Sequence, residues 1–163
     1  MYETVPAELR TRRQWVGWRY EQDPKRPDKP KKVPVDPMTG ERGQSNNRAT
    51  WSDFDTAVRA VERYRLDGIG LMFADGVFGI DIDHCIDPGT GELSPQAAEI
   101  VDTVQSYTEL SPSGTGLHIL CLGRLPEGRR RRGNVEMYQA GRFFTVTGRE
   151  YVKSWPLSDC TGR

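Results

Sequence analysis

Two histidines and three cysteines are all that this 163-residue chain holds of the side chains that most often bind metals or carry redox chemistry. Cys85, Cys121 and Cys160 are odd in number, far apart and never in a C-x-x-C pair, which speaks against a zinc ribbon and a disulfide framework. No apolar run reaches the ~18 residues of a membrane-spanning helix, so no membrane partner is expected. The opening Met1-Tyr2-Glu3-Thr4-Val5-Pro6 has no basic start followed by an apolar stretch, so no secretory leader is expected either. Disorder is a poor fit, because 36% hydrophobic residues are enough for one modest core. These absences lead to the expectation of a soluble, single-domain protein of a reducing compartment.

Net charge is also lacking: 23 basic and 23 acidic residues cancel. The cancellation hides a pattern. Residues 1–50 carry a net +4, residues 51–110 a net −9 and residues 111–163 a net +5. Two basic flanks around an acidic middle suit an anionic ligand held beside a metal-binding carboxylate cluster, although ordinary surface charge gives the same totals.

Residues 6–13 read as a short helix with Pro6 near its start, and 14–20 as a strand through Trp15, Val16, Trp18 and Tyr20. Residues 22–50 are rich in Pro, Lys, Asp, Gly and Asn and read mostly as loop, with one short strand at 31–35. Ser52, three residues before Asp55, reads as the cap of a helix through Phe54, Ala57, Val58, Val61 and Tyr64. A strand at 69–73 and another at 77–83 flank Ala74-Asp75-Gly76, which predicts a hairpin. Ser94-Pro95 opens a third helix to about Gln105, and strands follow at 107–110, 117–122, 135–138 and 143–147. The fold class is α+β with a largely antiparallel sheet.

Three segments carry candidate chemistry. Val77-Phe78-Gly79-Ile80-Asp81-Ile82-Asp83 puts Asp81 and Asp83 on one strand face, roughly 7 Å apart, with Ile80 and Ile82 toward the core. Two carboxylates that close repel, and a divalent cation removes that cost; Mg²⁺ suits them because it takes carboxylate, phosphate and water oxygens. The plainer alternative is a pair of solvated aspartates at a strand end. Ser111-Pro112-Ser113-Gly114-Thr115-Gly116-Leu117-His118 is a small-residue loop whose backbone N–H groups would cradle phosphate, with His118 reaching the same oxygens; on its own it is equally a simple turn. Asn134-Val135-Glu136-Met137-Tyr138 puts Glu136 and Tyr138 on one face, and Arg142 beside Gly141 would grip phosphate through two donors; on its own this is an edge hairpin.

Taken in order, these three segments resemble the archaeo-eukaryotic primase superfamily, most closely the primase-polymerase (prim-pol) domains of phage and plasmid replication proteins. Gln14-Trp15-Val16-Gly17-Trp18, Lys31-Lys32-Val33-Pro34 and Thr50-Trp51 resemble the same branch, so the likeness spans about 14–148. It implies an RRM-like catalytic sheet with an N-terminal αβ extension, one catalytic domain over 1–163. Its parts would be an αβ portion over about 1–66, the catalytic portion over 67–153 and a tail at 154–163. It implies template-directed nucleotidyl transfer, as DNA polymerase, primase or both, from nucleoside triphosphates on a DNA template and primer. Asp81, Asp83 and Glu136 would be the catalytic ligands of Mg²⁺ or Mn²⁺ in a two-metal site. Ser113, Gly114, His118, Arg142, Lys31, Lys32 and Tyr138 would contact the nucleotide, Tyr138 at the sugar. A helicase domain or protein is a further implied partner, and the setting would be the cytoplasm of a bacterial, archaeal or phage-infected cell.

The chemistry agrees with the residues. Three carboxylates would hold metal ions while His, Arg and Lys cancel triphosphate charge. Arg129, Arg130, Arg131 and Arg132 would contact nucleic-acid phosphates, or form a solvated loop. Trp15, Trp18 and Trp51 suit base stacking less well than core packing. Two rival functions are a metal-dependent replication-initiator nuclease and a non-catalytic RRM-like module for single-stranded nucleic acid. The first needs a His-x-His pair, which His84 and His118 cannot form; the second needs exposed aromatics where carboxylates are expected.

Overall fold

Pro6 is followed by one helical turn, α1 (Ala7–Arg10), and then by a hairpin of β1 (Trp15–Asp23) and β2 (Arg26–Val35). The computed structural model describes residues 2–152 and 154–161, so residue 153 and the last two residues of the expected tail lie outside the described residues. Strand β2 is longer than the predicted 31–35. Its prolines are accommodated because it is an edge strand, where a missing N–H leaves no inner ladder bond broken. It pairs with β1 from Gly17↔Val35 to Asp23↔Arg26 through an irregularity at Glu21–Asp23.

The predicted helix forms as α2 (Phe54–Arg63), but its cap is Asp53, whose carboxylate accepts from Thr56 N at 2.7 Å. Ser52 is instead drawn into a backbone bridge with Trp15 and is buried. Then come β3 (Gly68–Met72), β4 (Val77–Ile82), α3 (Pro95–Val104), β5 (Tyr107–Leu110) and β6 (Leu117–Leu122). The last elements are β7 (Arg131–Arg132), β8 (Val135–Tyr138) and β9 (Phe143–Val146). Every ladder between these strands is antiparallel, in keeping with the α+β class, and among the described residues they form two sheets rather than one: β2-β1-β3-β9 and β5-β6-β4-β8-β7.

The expected hairpin at 74–76 does not exist. The turn has hairpin-like geometry, with Asp75 at φ +55° and Gly76 at φ +80°. Both flanking strands are nevertheless interior to different sheets: β3 is taken on its two edges by β1 and β9, and β4 by β6 and β8.

The chain divides into two compact units. One comprises Ala7–Met72 and Phe143–Val146 and holds the four-stranded sheet. Trp15, Trp18 and Trp51 are buried in it, as core packing predicts. Trp15 donates from Nε1 to Leu9 O at 3.0 Å and meets Phe54 edge-on. The other unit comprises Met1–Pro6, Phe73–Arg142 and Thr147–Arg163 and holds the five-stranded sheet.

In that second unit Ser94 caps α3 by accepting from Ala97 N, with Pro95 at the first turn, and Gln105 ends the helix in the left-handed region. Ala97, Val101 and Val104 pack on Phe78, Ile80 and Ile82 of β4 and on Leu117, Ile119 and Cys121 of β6, so one sheet face is apolar and covered by α3. Counted in chain order, β4, β5, β6 and β8 lie 4-1-3-2, and β4–α3–β5 is a split β-α-β crossover. That is the strand order of an RRM-like sheet, with β7 where the second crossover helix would stand.

Candidate active site

Alternation sends Gly79 and Asp81 of β4, His118 and Leu120 of β6, and Glu136 and Tyr138 of β8 to the sheet face opposite α3. Register then builds one row across all five strands. Glu109 of β5 pairs with His118, His118 with Asp81, Asp81 with Glu136, and Glu136 with Arg131 of β7. His118 Nε2 lies 3.5 Å from Asp81 Oδ1, and Arg131 Nε lies 3.4 Å from Glu136 Oε1. Acidic and basic side chains thus alternate along the row except at its centre, where two carboxylates are cross-strand neighbours.

The side chains of Asp81 and Glu136 keep only 22% and 20% of their surface exposed. Asp81 Oδ1 is buried and accepts no hydrogen bond. A buried carboxylate oxygen with only a long 3.5 Å contact to His118 Nε2 on this row, beside a second carboxylate, is the kind of donor set a divalent cation satisfies. The residues therefore fit the expected metal, in part. Among the described residues no group of three or more His, Cys, Asp or Glu side chains stands at ligating spacing, so the expected three-carboxylate cage is not assembled. Asp83 is the third of the expected ligands. It follows the end of β4 and is exposed, its N–H donating to Asn134 O and its carbonyl accepting from Asn134 Nδ2. His84 next to it is exposed with φ +49°, and Cys85 is buried. Burial pushes the Cys85 thiol up to about 11, and the charges of Asp81 and Asp83 push the same way.

The Ser111–Gly116 loop differs from the expected amide cradle. Gly114 N donates to Ser111 O, Thr115 N to Ser113 Oγ, and Gly116 N to Ser111 Oγ, so these amides are consumed inside the loop. What the loop turns outward is hydroxyl: Ser113 is exposed, and its Oγ lies 2.9 Å from Thr115 Oγ1. Two glycines make this path possible. Gly114 sits at φ +80°, and a Cβ on Gly116 would come within 2.9 Å of Ile82 O. Thr115 O accepts from the amides of Cys85 and Ile86, which ties the loop to the segment after Asp83.

Arg142 stacks its guanidinium 4.7 Å from the centre of the Tyr138 ring, on the same strand face as Glu136. Of the arginine run, Arg130 donates to Pro126 O and Arg131 pairs with Glu136, while Arg129 and Arg132 are exposed. Lys31 and Lys32 are exposed on β2, in the other unit, opposite Glu21 and Tyr20.

Two residues escaped the sequence reading. Glu109 is wholly buried at the start of the row, and Arg149 donates to Ser111 O and Pro112 O. Glu109 lay in a four-residue strand whose pairing with His118 no local pattern shows. Arg149 stood two residues past a strand and looked like an ordinary surface cation.

An antiparallel RRM-ordered sheet carrying a carboxylate pair and a histidine on the face opposite α3, with a small-residue loop leading into it, defines the class that the three motifs resemble. No protein-family model matches the chain. The chain is 32% identical over 158 residues, covering 89% of its length, to the DNA primase-polymerase of Nitratiruptor phage NrS-1. The resemblance read from the motifs is thereby shown: this is a homologue of a phage primase-polymerase, spanning 21% of that relative's length.

Proposed function

We propose that this chain is a single catalytic domain for template-directed nucleotidyl transfer in replication, adding nucleotides from nucleoside triphosphates to a DNA primer strand. The observation that carries the reading is the registered row, which sets His118, Asp81 and Glu136 side by side on three adjacent strands of the sheet face opposite α3. Asp81, Asp83 and Glu136 would hold Mg²⁺ or Mn²⁺, with Asp83 brought in from the exposed strand end. Bound there, divalent ions supply acidification of the primer 3′-hydroxyl and neutralisation of the leaving pyrophosphate.

The protein's own part is to bind and orient. His118, Arg142 and the hydroxyls of Ser113 and Thr115 meet the triphosphate oxygens. Gly114 lets the loop turn. Tyr138, braced by Arg142, would read the sugar. Arg129 and Arg132, free of the contacts that engage Arg130 and Arg131, take the template phosphates.

The test is nucleotide incorporation on primed and unprimed single-stranded DNA with Mg²⁺ or Mn²⁺, wild type beside Asp83→Asn. Primer extension by the wild type alone supports the reading, and products on unprimed template add primase activity. Template binding without incorporation would instead favour a binding module.

A further inference from the structure

The most deeply buried charged side chain among the described residues takes no part in the transfer proposed above. Glu109 is 0% exposed, and a carboxylate so placed is retained only where donors compensate it. Its donors come from two directions. Oε1 accepts from Tyr107 Oη at 3.0 Å and Gly148 N at 3.2 Å, and Oε2 accepts from Thr147 N at 2.7 Å. The carboxylate therefore fastens a segment 38 residues further along the chain.

That segment runs as a strap along β5. Leu110 N donates to Arg149 O, Tyr151 N donates to Thr108 O, and Glu109 and Glu150 form a backbone bridge. Thr147 Oγ1 donates to Leu110 O at 2.7 Å. From the strap Arg149 reaches over and donates Nη2 to Ser111 O and Pro112 O, the first two carbonyls of the small-residue loop. The far end of the loop runs directly into β6, where His118 is the registered partner of Glu109 itself. One buried carboxylate thus stands between the entry of the loop, held through Arg149, and its exit, held through the strand pair.

We propose that Glu109 and Arg149 are positioning residues for the incoming nucleoside triphosphate. They hold the Ser111–Gly116 loop and His118 in one arrangement and touch neither the nucleotide nor the reacting atoms. The proposal rests on the reading of that loop and His118 as triphosphate contacts. Loss of the clamp leaves the carboxylates of Asp81 and Glu136 in place, so its signature is weaker nucleotide capture rather than slower chemistry.

The experiment is primer extension with nucleotide concentration varied, for wild type, Arg149→Ala, Arg149→Lys, His118→Ala and Val101→Ala. Anisotropy of a fluorescent nucleoside triphosphate gives the affinity without turnover. Arg149→Ala is expected to raise KM and Kd for the nucleotide about tenfold, as removal of a charge-assisted pair of hydrogen bonds should, with kcat within about twofold. Arg149→Lys, which keeps a charged donor, should recover most of the loss. Val101→Ala, a cavity under α3, should lower the melting temperature while leaving KM unchanged. The proposal is overturned if Arg149→Ala keeps the wild-type KM and Kd, or if Val101→Ala raises them equally. An inert wild type, or His118→Ala with unaltered Kd, would instead overturn the reading of the loop and the proposal with it.

Discussion

Asp81→Asn should make the metal-free protein more stable while abolishing its activity. Asp81 and Glu136 are registered cross-strand partners, which sets their Cβ atoms about 5 Å apart. Two unit charges at that distance repel by about 3 kcal/mol at an effective dielectric of about 20. His118 at 3.5 Å and Arg131 at 3.4 Å, with the remaining exposure, reduce this to about 1–2 kcal/mol. For a chain of this length the gain corresponds to roughly 3–6 °C in melting temperature. The assay is thermal melting in EDTA at pH 8. The gain should shrink in 1 M salt, where the screening length falls to about 3 Å. With Mn²⁺ and a nucleoside triphosphate the order should reverse, because only the wild type binds the cation well. A variant that melts at or below wild type in EDTA would refute the view that the site is held open by carboxylate repulsion.

Two further outcomes follow from groups near the row. Burial raises the Glu109 pKa above 4.5, with hydrogen bonds from Thr147 and Gly148 and the charge of His118 offsetting part of the rise. The folded state therefore holds this proton more tightly than the unfolded state, and the stability it contributes is lost as pH climbs from about 4.5 through the folded value. Melting temperatures of wild type minus Glu109→Gln should accordingly fall between pH 4.5 and 8, and a flat or rising difference would contradict the sign. The Cys85 thiol, pushed up to about 11, is about a thousandth thiolate at pH 8, so iodoacetamide should spare it in the folded protein. Peptide mass analysis should find it alkylated only after denaturation; rapid labelling in native buffer would show that the site opens readily.

The sequence showed its strands through their side chains and hid their partners. The ranges 107–110, 117–122 and 135–138 match β5, β6 and β8, because short β-branched and aromatic runs bounded by Gly, Pro and Ser declare themselves locally. Pairing is not local. Ala74-Asp75-Gly76 makes the turn its residues call for, yet β3 and β4 each had two better edges elsewhere. Likewise the 22–50 stretch reads as loop from its prolines, and only the edge position of β2 explains why they sit in a strand. At the site, Asp81, His118 and Glu136 were readable as candidates, whereas their shared row depended on register. The loop around Gly114 was read correctly as small and turning, but its hydroxyls compete for its own amides, which leaves fewer donors for phosphate than glycine content suggests.

The four residues of β9 belong to the unit formed otherwise by Ala7–Met72, though they are made more than seventy residues later. On a ribosome, the early unit therefore waits with β3 unpaired along one edge until Val146 has emerged. By then most of the later unit has also been synthesised, so the part of the chain made first can close its sheet only shortly before the rest is complete. Cutting the gene after Met72 would not yield an independent module but a sheet with a raw edge, ready to recruit a strand from any neighbouring chain.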